Sequence, residues 1–114
     1  MNAPGIQQLS PDVCVAGQLD PAAMAWAAHA GFKSVVNNRP DFEGGPDQPT
    51  NAAIEAAARA AGLDYAFLPV LGGYQSPEEI ARFASLVATM PTPILAFCRS
   101  GARSGKLFRA SSSG

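Results

Sequence analysis

Short apolar segments and helix-like segments alternate along this chain, and the alternation restricts its fold more than any other feature does. A segment rich in valine or other apolar residues is typical of a buried strand, and a capping residue followed by spaced apolar positions is typical of a helix. Chains with this alternation build a mostly parallel sheet covered by helices. We therefore predict an α/β fold of three layers, with a central sheet of about four to five strands. The predicted strands cover residues 12–19, 32–38, 64–70 and 94–97.

Local capping signals mark where three of the predicted helices begin. Asp20 stands directly before Pro21, and this pair is typical of an N-cap followed by a proline in the first turn. Thr50 is a suitable cap for the next helix. Ser76 and Glu79 have the spacing of a capping box, in which two side chains and two backbone groups satisfy each other. We therefore expect a helix after each of the first three strands.

The length of the chain, 114 residues of which 47% are apolar, is enough for one hydrophobic core. We predict a single domain over residues 1–110, in which residues 104–110 form a short last helix. Residues 111–114, SSSG, are predicted to be a flexible tail, because small polar residues at a terminus rarely pack.

Charge and cysteine content exclude several classes of function. The formal net charge is −1 and no lysine-rich patch is present, so we predict no nucleic-acid partner. No segment of membrane-spanning length is free of polar residues, and the N-terminus does not have the pattern of a secretory signal. We therefore predict no membrane contact and a cytoplasmic protein in which Cys14 and Cys98 stay reduced. Together with His29 they are too few for a usual zinc site, and we predict no metal and no cofactor. The sequence does not indicate an oligomeric state.

The stretch FCRSGARSGKLF, residues 97–108, places a cysteine where a predicted strand ends. Successive backbone N–H groups in such a turn form a concave anion site, and the positive end of the following helix adds to it. Gly101 allows backbone conformations that a Cβ would forbid, and Arg103 presents a planar fork to a tetrahedral oxyanion. The same groups lower the pKa of the Cys98 thiol, and the thiolate is the nucleophilic form. We predict Cys98 and Arg103 as catalytic residues, and an anion-binding loop that also contains Arg99, Ser100, Ala102 and Ser104.

Other interpretations of this loop are open. Cys98 is also explained as a buried, inert core cysteine. Arg99 is better explained as a surface charge, and Ser104 as a helix cap whose hydroxyl also bonds the Cys98 sulfur. The single histidine, His29, falls on a predicted helix far along the chain, so a Cys–His dyad is not expected. A phosphate-binding P-loop is excluded, because the glycine spacing is one residue short and Leu107 stands where a hydroxyl residue is needed.

Polar residues also follow the second predicted strand, in the long loop of residues 38–48, NRPDFEGGPDQ. The carboxyl ends of parallel strands share one edge of the sheet, and ligands bind there. A loop of this length in a small domain is often functional. We therefore predict possible pocket contacts from this loop and from the turn before the third helix: Asn38, Arg39, Asp41, Glu43 and Tyr74.

Each of these pocket residues also has a structural interpretation. For Arg39, a salt bridge with Asp41 or Glu43 explains the residue as well as contact with an anion does. For Asp41, a hydrogen bond from a turn amide is favoured over acid catalysis. For Asn38, bonds to backbone groups are favoured over substrate contact. Tyr74 either lines the pocket or is a surface aromatic on a turn.

Five short motifs follow one another along the chain: AGQL at 16–19, VVNNRPDFE at 35–43, DQP at 47–49, LPV at 68–70 and CRSGARS at 98–104. In this order and spacing they resemble the phosphatase-like domain of the bacterial beta-lactamase-hydrolase-like family, which is related to the protein tyrosine and dual-specificity phosphatases. The resemblance implies a phosphatase-like fold. It also implies that Cys98 attacks phosphorus, that Gly101 and the loop amides bind the phosphoryl oxygens, and that Arg103 clamps them. A cysteinyl-phosphate would form and then be hydrolysed by water.

Three departures from the phosphatase pattern favour a second resemblance. Four residues separate Cys98 from Arg103, one fewer than in the phosphatases. Phe97 stands where they carry histidine, and the turn of residues 70–76 contains no acid to protonate a leaving oxygen. The loop FCRSGARS is equally similar to that of the rhodanese sulfurtransferases, and NNRPDFE is similar to their arginine–acid pair, with Asn37 in place of an aspartate. That resemblance implies transfer of sulfur through a persulfide on Cys98 and needs no strong general acid.

We therefore carry three hypotheses of function. The first is a cysteine-dependent phosphatase-like hydrolase that acts on a phosphoester. The second is a rhodanese-type sulfurtransferase that forms a persulfide on Cys98. The third is a non-catalytic anion-binding module. The first two share a small anionic substrate, either a phosphate ester or a sulfane sulfur donor.

Overall fold

The structure of the protein is a computed structural model that describes residues 5–112. Within these residues five strands and four helices alternate, and the predicted α/β fold of three layers with a mostly parallel sheet is confirmed. In chain order the elements are β1 (Gln7–Gln8), β2 (Val13–Ala16), α1 (Pro21–His29), β3 (Ser34–Asn37), α2 (Asn51–Ala60), β4 (Asp64–Phe67), α3 (Pro77–Thr89), β5 (Ile94–Phe97) and α4 (Ala102–Ser112).

The sheet places β5 at its centre, in the order β1-β2-β5-β3-β4. Strands β2, β5, β3 and β4 are parallel, and only the short β1 runs antiparallel to β2. Phe97, the last residue of β5, pairs with Ala16 of β2 and with Asn37 of β3. The three strands therefore end level with one another. The residues that follow them lie together at the carboxyl edge of the sheet, which is the usual ligand-binding edge of such folds.

The central strand β5 is buried on both faces. Leu95 and Phe97 point into the cluster beneath α1 and α2, while Ile94 and Ala96 point into the cluster beneath α3 and α4. All four side chains are fully buried. For this reason, parallel strands that helices cover on both sides have continuous apolar sequences. The packing fixes the end of β5, and Cys98 follows directly from this fixed point.

The predicted helix starts are confirmed by their capping contacts. Asp20 and Thr50 each accept a hydrogen bond from the backbone N–H three residues further on, at 2.9 and 3.2 Å. Both halves of the capping box between Ser76 and Glu79 are formed, at 3.1 and 2.8 Å. Capping depends on residues close in sequence, so the sequence alone was sufficient to place these starts.

Helix α4 differs from its prediction at both ends. It begins at Ala102 rather than Ser104, because Gly101 takes a φ of +93° and turns the chain straight into the helix. Ser104 therefore lies in the first turn and is not the cap that we predicted. The helix continues to Ser112, so the first two residues of the predicted tail are helical; residues 113 and 114 lie outside the described part. Across residues 5–112, no helix is both long enough and apolar enough to cross a membrane.

Candidate active site

The loop after β5 curls back so that its backbone faces the Cys98 sulfur. The Gly101 N–H donates a hydrogen bond to Cys98 Sγ at 3.1 Å. A Cβ on Gly101 would lie 3.4 Å from the carbonyl oxygen of Ala16, and its positive φ is one that other residues rarely adopt. The exit of β2 supports the other side of the loop, since the Gln18 N–H donates to the Arg99 carbonyl at 3.1 Å. Neighbouring strands thus shape the loop into a ring around the sulfur.

The ring of backbone donors makes Cys98 unlike an ordinary buried cysteine. Burial by itself raises the pKa of the Cys98 thiol. The backbone N–H groups of Ser104, Ser100, Arg103 and Gly101 together outweigh burial and hold this pKa below its ordinary value. Hydrogen bonds to the charged form favour it in this way. The side chain is fully buried, as an inert core cysteine would be, but four backbone N–H groups act on its sulfur.

The two cysteines should differ in their reaction with iodoacetate across a pH series. Because the loop stabilises the thiolate, the midpoint for Cys98 should lie below the ordinary value of 9.0. Burial raises the pKa of Cys14, so its midpoint should lie above 9.0. Peptide mass spectrometry of the alkylated native protein measures both sites in one sample. Protein unfolded in urea is the control, and there the difference should disappear. A native Cys98 midpoint at or above 9.0 would contradict the interpretation of the loop.

Arg103 is buried beside the loop and is held along one side of its guanidinium. Nη1 and Nη2 donate to the two carboxylate oxygens of Glu43 at 2.8 and 2.7 Å, and Nη1 also donates to the Val70 carbonyl at 3.1 Å. A guanidinium has five N–H donors, so Nε–H and the second Nη2–H remain on one shared edge. Glu43 is the main cause that raises the pKa of Arg103, and the Cys98 sulfur contributes as well. The remaining edge has the geometry to bind an oxyanion through two parallel hydrogen bonds.

Glu43 joins two arginines that are distant in sequence. Besides Arg103, it accepts a hydrogen bond from Arg39 Nε at 2.9 Å. The hydrogen bond from Arg103 is the main reason that the pKa of Glu43 falls to about 2, with Arg39 adding to it against the opposing effect of burial. A carboxylate of this kind is a poor proton donor at neutral pH. The contacts of Glu43 hold the side chains of Arg103 and Arg39 in place. The salt bridge predicted for Arg39 is therefore present, with Glu43 as its partner.

Replacing Glu43 by glutamine should destabilise the protein in a pH-dependent way. The substitution leaves two buried arginines without a carboxylate, so we expect the free energy of unfolding at pH 7 to fall by about 2–3 kcal/mol. The folded pKa of Glu43 is about 2 against an ordinary 4.5, so its stabilising effect is complete above pH 4.5 and is lost as the pH falls towards 2. Urea unfolding at a series of pH values measures both effects.

The matched control for this substitution is Glu55→Gln, which removes an exposed pair with Arg59 that is 3.1 Å apart. Exposed pairs of this kind contribute less than about 1 kcal/mol. Equal losses of stability in the two variants, or a loss for Glu43→Gln that persists unchanged at pH 2.5, would show that the contacts of Glu43 do not stabilise the fold.

Arg39 braces the loop of residues 38–48. Besides its bond to Glu43, it donates from Nη1 to Gln18 Oε1 at 3.0 Å. A Cβ at Gly44 would lie 2.6 Å from Arg39 Nη2, so the loop passes tightly over the arginine. Gln48 fastens the same loop, because it accepts from the Gly44 N–H at 2.7 Å and donates to a carbonyl at 2.8 Å.

Asn38, Ser104 and Asp41 have structural contacts. The Ser104 hydroxyl donates to Asn38 Oδ1 at 2.8 Å, so it bonds this amide instead of the Cys98 sulfur; only its backbone N–H acts on the thiol. Asn38 in turn donates to the Leu68 carbonyl at 2.9 Å, as the favoured interpretation expected. Asp41 accepts from the Asn51 N–H at 2.7 Å, at the first residue of α2.

The remaining predicted residues lie on the surface. Arg99, Ser100 and Ala102 are exposed, in keeping with Arg99 as a surface charge. Tyr74 is also exposed. The Val70 carbonyl, which fastens Arg103, was missed, because a backbone oxygen has no signal in a sequence. In residues 5–112, no group of three or more histidine, cysteine or acidic side chains is placed to hold a metal ion.

Comparisons with known proteins identify relatives over nearly the whole chain. A family model described as beta-lactamase hydrolase-like protein, phosphatase-like domain, matches residues 5–114. A beta-lactamase hydrolase-like protein of Xylella fastidiosa is 37% identical over 106 residues, which are 93% of this chain and 24% of that protein. The chain therefore spans about a quarter of the length of this curated relative.

Two solved structures share the fold. A Neisseria meningitidis protein, provisionally described as a phosphatase, has a TM-score of 0.84 and 30% identity, with 94% of this chain and 77% of that chain covered. The P. aeruginosa protein TpbA, in its C132S form in complex with pTyr, has a TM-score of 0.66 and 16% identity, with 90% of this chain and 58% of that chain covered. At this lower identity the likeness to TpbA concerns the fold alone.

Proposed function

The chain belongs to the family of phosphatase-like domains found in beta-lactamase hydrolase-like proteins, and on this premise we propose that it is a cysteine-dependent phosphatase. In this proposal it hydrolyses a phosphoester through a cysteinyl-phosphate on Cys98. The observation that carries the proposal is the Cys98 thiol with a lowered pKa next to Arg103, whose Nε/Nη2 edge is not used by Glu43 or Val70. A nucleophilic thiolate and a fork for oxyanions are the two parts that the reaction needs.

The proposed reaction has two steps. Cys98 Sγ attacks phosphorus, the S–P bond forms, and the P–O bond to the alcohol breaks. The loop amides and the Nε/Nη2 edge of Arg103 stabilise the charge on the phosphoryl oxygens as it develops. Water then attacks the phosphocysteine, which releases phosphate and returns the thiolate. Glu43 is ionised at neutral pH, so in this proposal the leaving oxygen takes its proton from solvent.

A sulfurtransferase is the second candidate, and the length of the loop favours it. Only four residues separate Cys98 from Arg103, and residues 70–76 contain no acidic side chain. In this reaction the Cys98 thiolate attacks the outer sulfur of thiosulfate, a cysteine persulfide forms, and sulfite leaves. Sulfite is a stable anion, so it departs without a proton donor.

Purified protein assayed side by side with an aryl phosphate and with thiosulfate plus cyanide distinguishes the two candidates. We expect release of phosphate, and a phosphoryl group on Cys98 in protein quenched with acid during turnover. Mass spectrometry that finds one added sulfur on Cys98, together with thiosulfate turnover and no phosphate release, would establish the second candidate instead. Tight phosphate binding with turnover of neither substrate would leave only a non-catalytic anion-binding module.

The substrate class and the cellular location of the domain are also part of the proposal. A small anionic substrate agrees with the anion site and with the bound pTyr in the TpbA structure. The cytoplasmic location stays a prediction from the sequence. Because the chain spans only 24% of its Xylella relative, the activity of a longer protein is not implied by this site alone.

A further inference from the structure

A second cavity lies beside the cysteine loop, between the strand pair β1–β2 and helix α4. Its volume is about 240 Å³. Gln7 and Val15 line it from the strands, Ser100 lines it from the loop, and Gly105 and Arg109 line it from the helix. This volume is below the roughly 300–1,000 Å³ of pockets for drug-sized ligands, so the cavity fits a small ligand.

The cavity is separate from the site at Cys98, although the two share a wall. Cys98, Arg103 and Glu43 are not among the residues that line it. Gly101 contributes to both, because its N–H donates to Cys98 Sγ at 3.1 Å and the residue also lines the cavity. A ligand in the cavity would therefore contact the cysteine loop, but not the arginine and the carboxylate of the first site.

Arg109 supplies the cavity with a positive charge that has no partner in the described part of the chain. Across residues 5–112, its side chain makes no hydrogen bond and no ion pair, and no acidic residue lines the cavity. A guanidinium has five N–H donors and no acceptor. The Ser100 hydroxyl accepts from the Ala102 N–H at 3.3 Å, so its own hydrogen is a further donor. The polar groups of the cavity therefore favour a ligand with anionic oxygen atoms.

A glycine inside α4 lets the Arg109 guanidinium lie against the helix. Glycine is less favourable than alanine in a helix interior, and Gly105 does not have a positive φ that would require it. A Cβ at Gly105 would lie 3.4 Å from both Nη1 and Nη2 of Arg109, and these are the atoms nearest to it. The space that the missing Cβ leaves is therefore used by the guanidinium, which lies along the wall of the cavity.

We infer that this cavity is a second anion-binding site, in which Arg109 is the main ligand of a small dianion such as a phosphate monoester or a dicarboxylate. Both kinds of ligand present anionic oxygens that match two parallel N–H groups of one guanidinium. The inference goes beyond the proposed function and does not depend on it, since neither Cys98 nor Arg103 lines the cavity. Arg109 is exposed, so a ligand reaches it from solvent.

Titration with inorganic phosphate, followed by NMR at constant ionic strength, tests the second site separately from the first. We expect the backbone amides of Gly5, Gln7 and Gly105 and the side-chain Nε–H of Arg109 to shift along one saturating curve. Arg109→Ala should weaken this binding at least about tenfold, because it removes a charged group that donates hydrogen bonds. Arg109→Lys should lie between this variant and the wild type, since lysine keeps the charge but has no planar fork.

Lys106→Ala is the matched control, because it removes the same charge from the same helix, and Lys106 is exposed and does not line the cavity. Its Kd should stay within about threefold of the wild type. Malonate and glycerol phosphate, titrated in the same way, distinguish a dicarboxylate from a phosphoester as the ligand. The second site is overturned if none of the three anions gives saturating shifts, or if Arg109→Ala and Lys106→Ala weaken binding equally. A loss confined to the Arg109 variants supports it even if Cys98 hydrolyses no phosphoester.

Discussion

Replacement of Cys98 by serine should abolish hydrolysis of aryl phosphates, with a fall in kcat of at least about 10⁴-fold. A serine hydroxyl ionises far less readily than a thiol whose pKa the backbone donors lower, so the proposed attacking group is lost. The amide ring and Arg103 remain, and an oxyanion then meets a neutral hydroxyl at this position. We therefore expect phosphate to bind as tightly as in the wild type or more tightly, measured by calorimetry.

One further measurement on Cys98→Ser and one control variant make the result decisive. Acid-quenched turnover mixtures should contain no phosphorylated protein, because the only proposed acceptor of the phosphoryl group is absent. Cys14→Ser is the control, since Cys14 lies on β2 and its burial raises rather than lowers the pKa of its thiol. This variant should keep full activity. A Cys98→Ser variant that retains more than about a hundredth of the activity would remove cysteine chemistry from the proposal.

Replacement of Arg103 by lysine should lower kcat for the aryl phosphate by about 10²–10³-fold, the usual cost of losing a charged donor to a developing oxyanion. Lysine keeps the positive charge but has no planar fork, so it cannot bond the two oxygens of Glu43 and offer a second edge to phosphate. The loss should fall mainly on kcat, because the fork acts most strongly when charge builds up on the phosphoryl oxygens.

Arg99→Lys is the matched control for this substitution, made in the same loop. Arg99 is exposed, and its backbone carbonyl, which any residue supplies, accepts the hydrogen bond from Gln18 just after β2. We expect its kcat and KM to equal those of the wild type within about twofold. Equal and large losses in both lysine variants would mean that the net positive charge of the loop, and not the fork of Arg103, supports turnover.

The parts of the fold that depend on neighbours in sequence were predictable from the sequence. The apolar run of Ile94–Phe97 and the caps at Thr50 and Ser76 were placed correctly because each depends on a few adjacent residues. The short β1, Gln7–Gln8, was missed. Its two exposed polar residues carry no apolar pattern, and only pairing with β2 makes them a strand.

The site was predictable as a set of residues but not as a network. Cys98, Gly101 and Arg103 stand within one loop, so their grouping follows from spacing and from the turn that glycine permits. The bond between Arg103 and Glu43 spans 60 positions. The sequence offered both Arg39 and Arg103 as partners for the Glu43 carboxylate. Glu43 bonds both because β3 and β5 end level with each other in the sheet.

The roles of Asp41 and Ser104 were decided in the same way by tertiary contacts. Spacing alone left acid catalysis open as the less favoured interpretation of Asp41, and it left a bond from the Ser104 hydroxyl to the Cys98 sulfur open. Asp41 instead meets the first backbone N–H of α2 at 2.7 Å, and the Ser104 hydroxyl meets an amide 66 positions away at 2.8 Å. Both partners come from elements whose packing no local pattern specifies.

Because β5 stands between β2 and β3, a nascent chain cannot close its sheet until residues 94–97 have left the ribosome. Until then β2 and β3 have no strand to join them, and their apolar faces are open to chaperones or to other unfinished chains. Residues 94–97 lead directly into the cysteine loop, so the same stretch of chain completes the sheet and the site together. A nascent chain that stops before this stretch therefore carries no formed anion site.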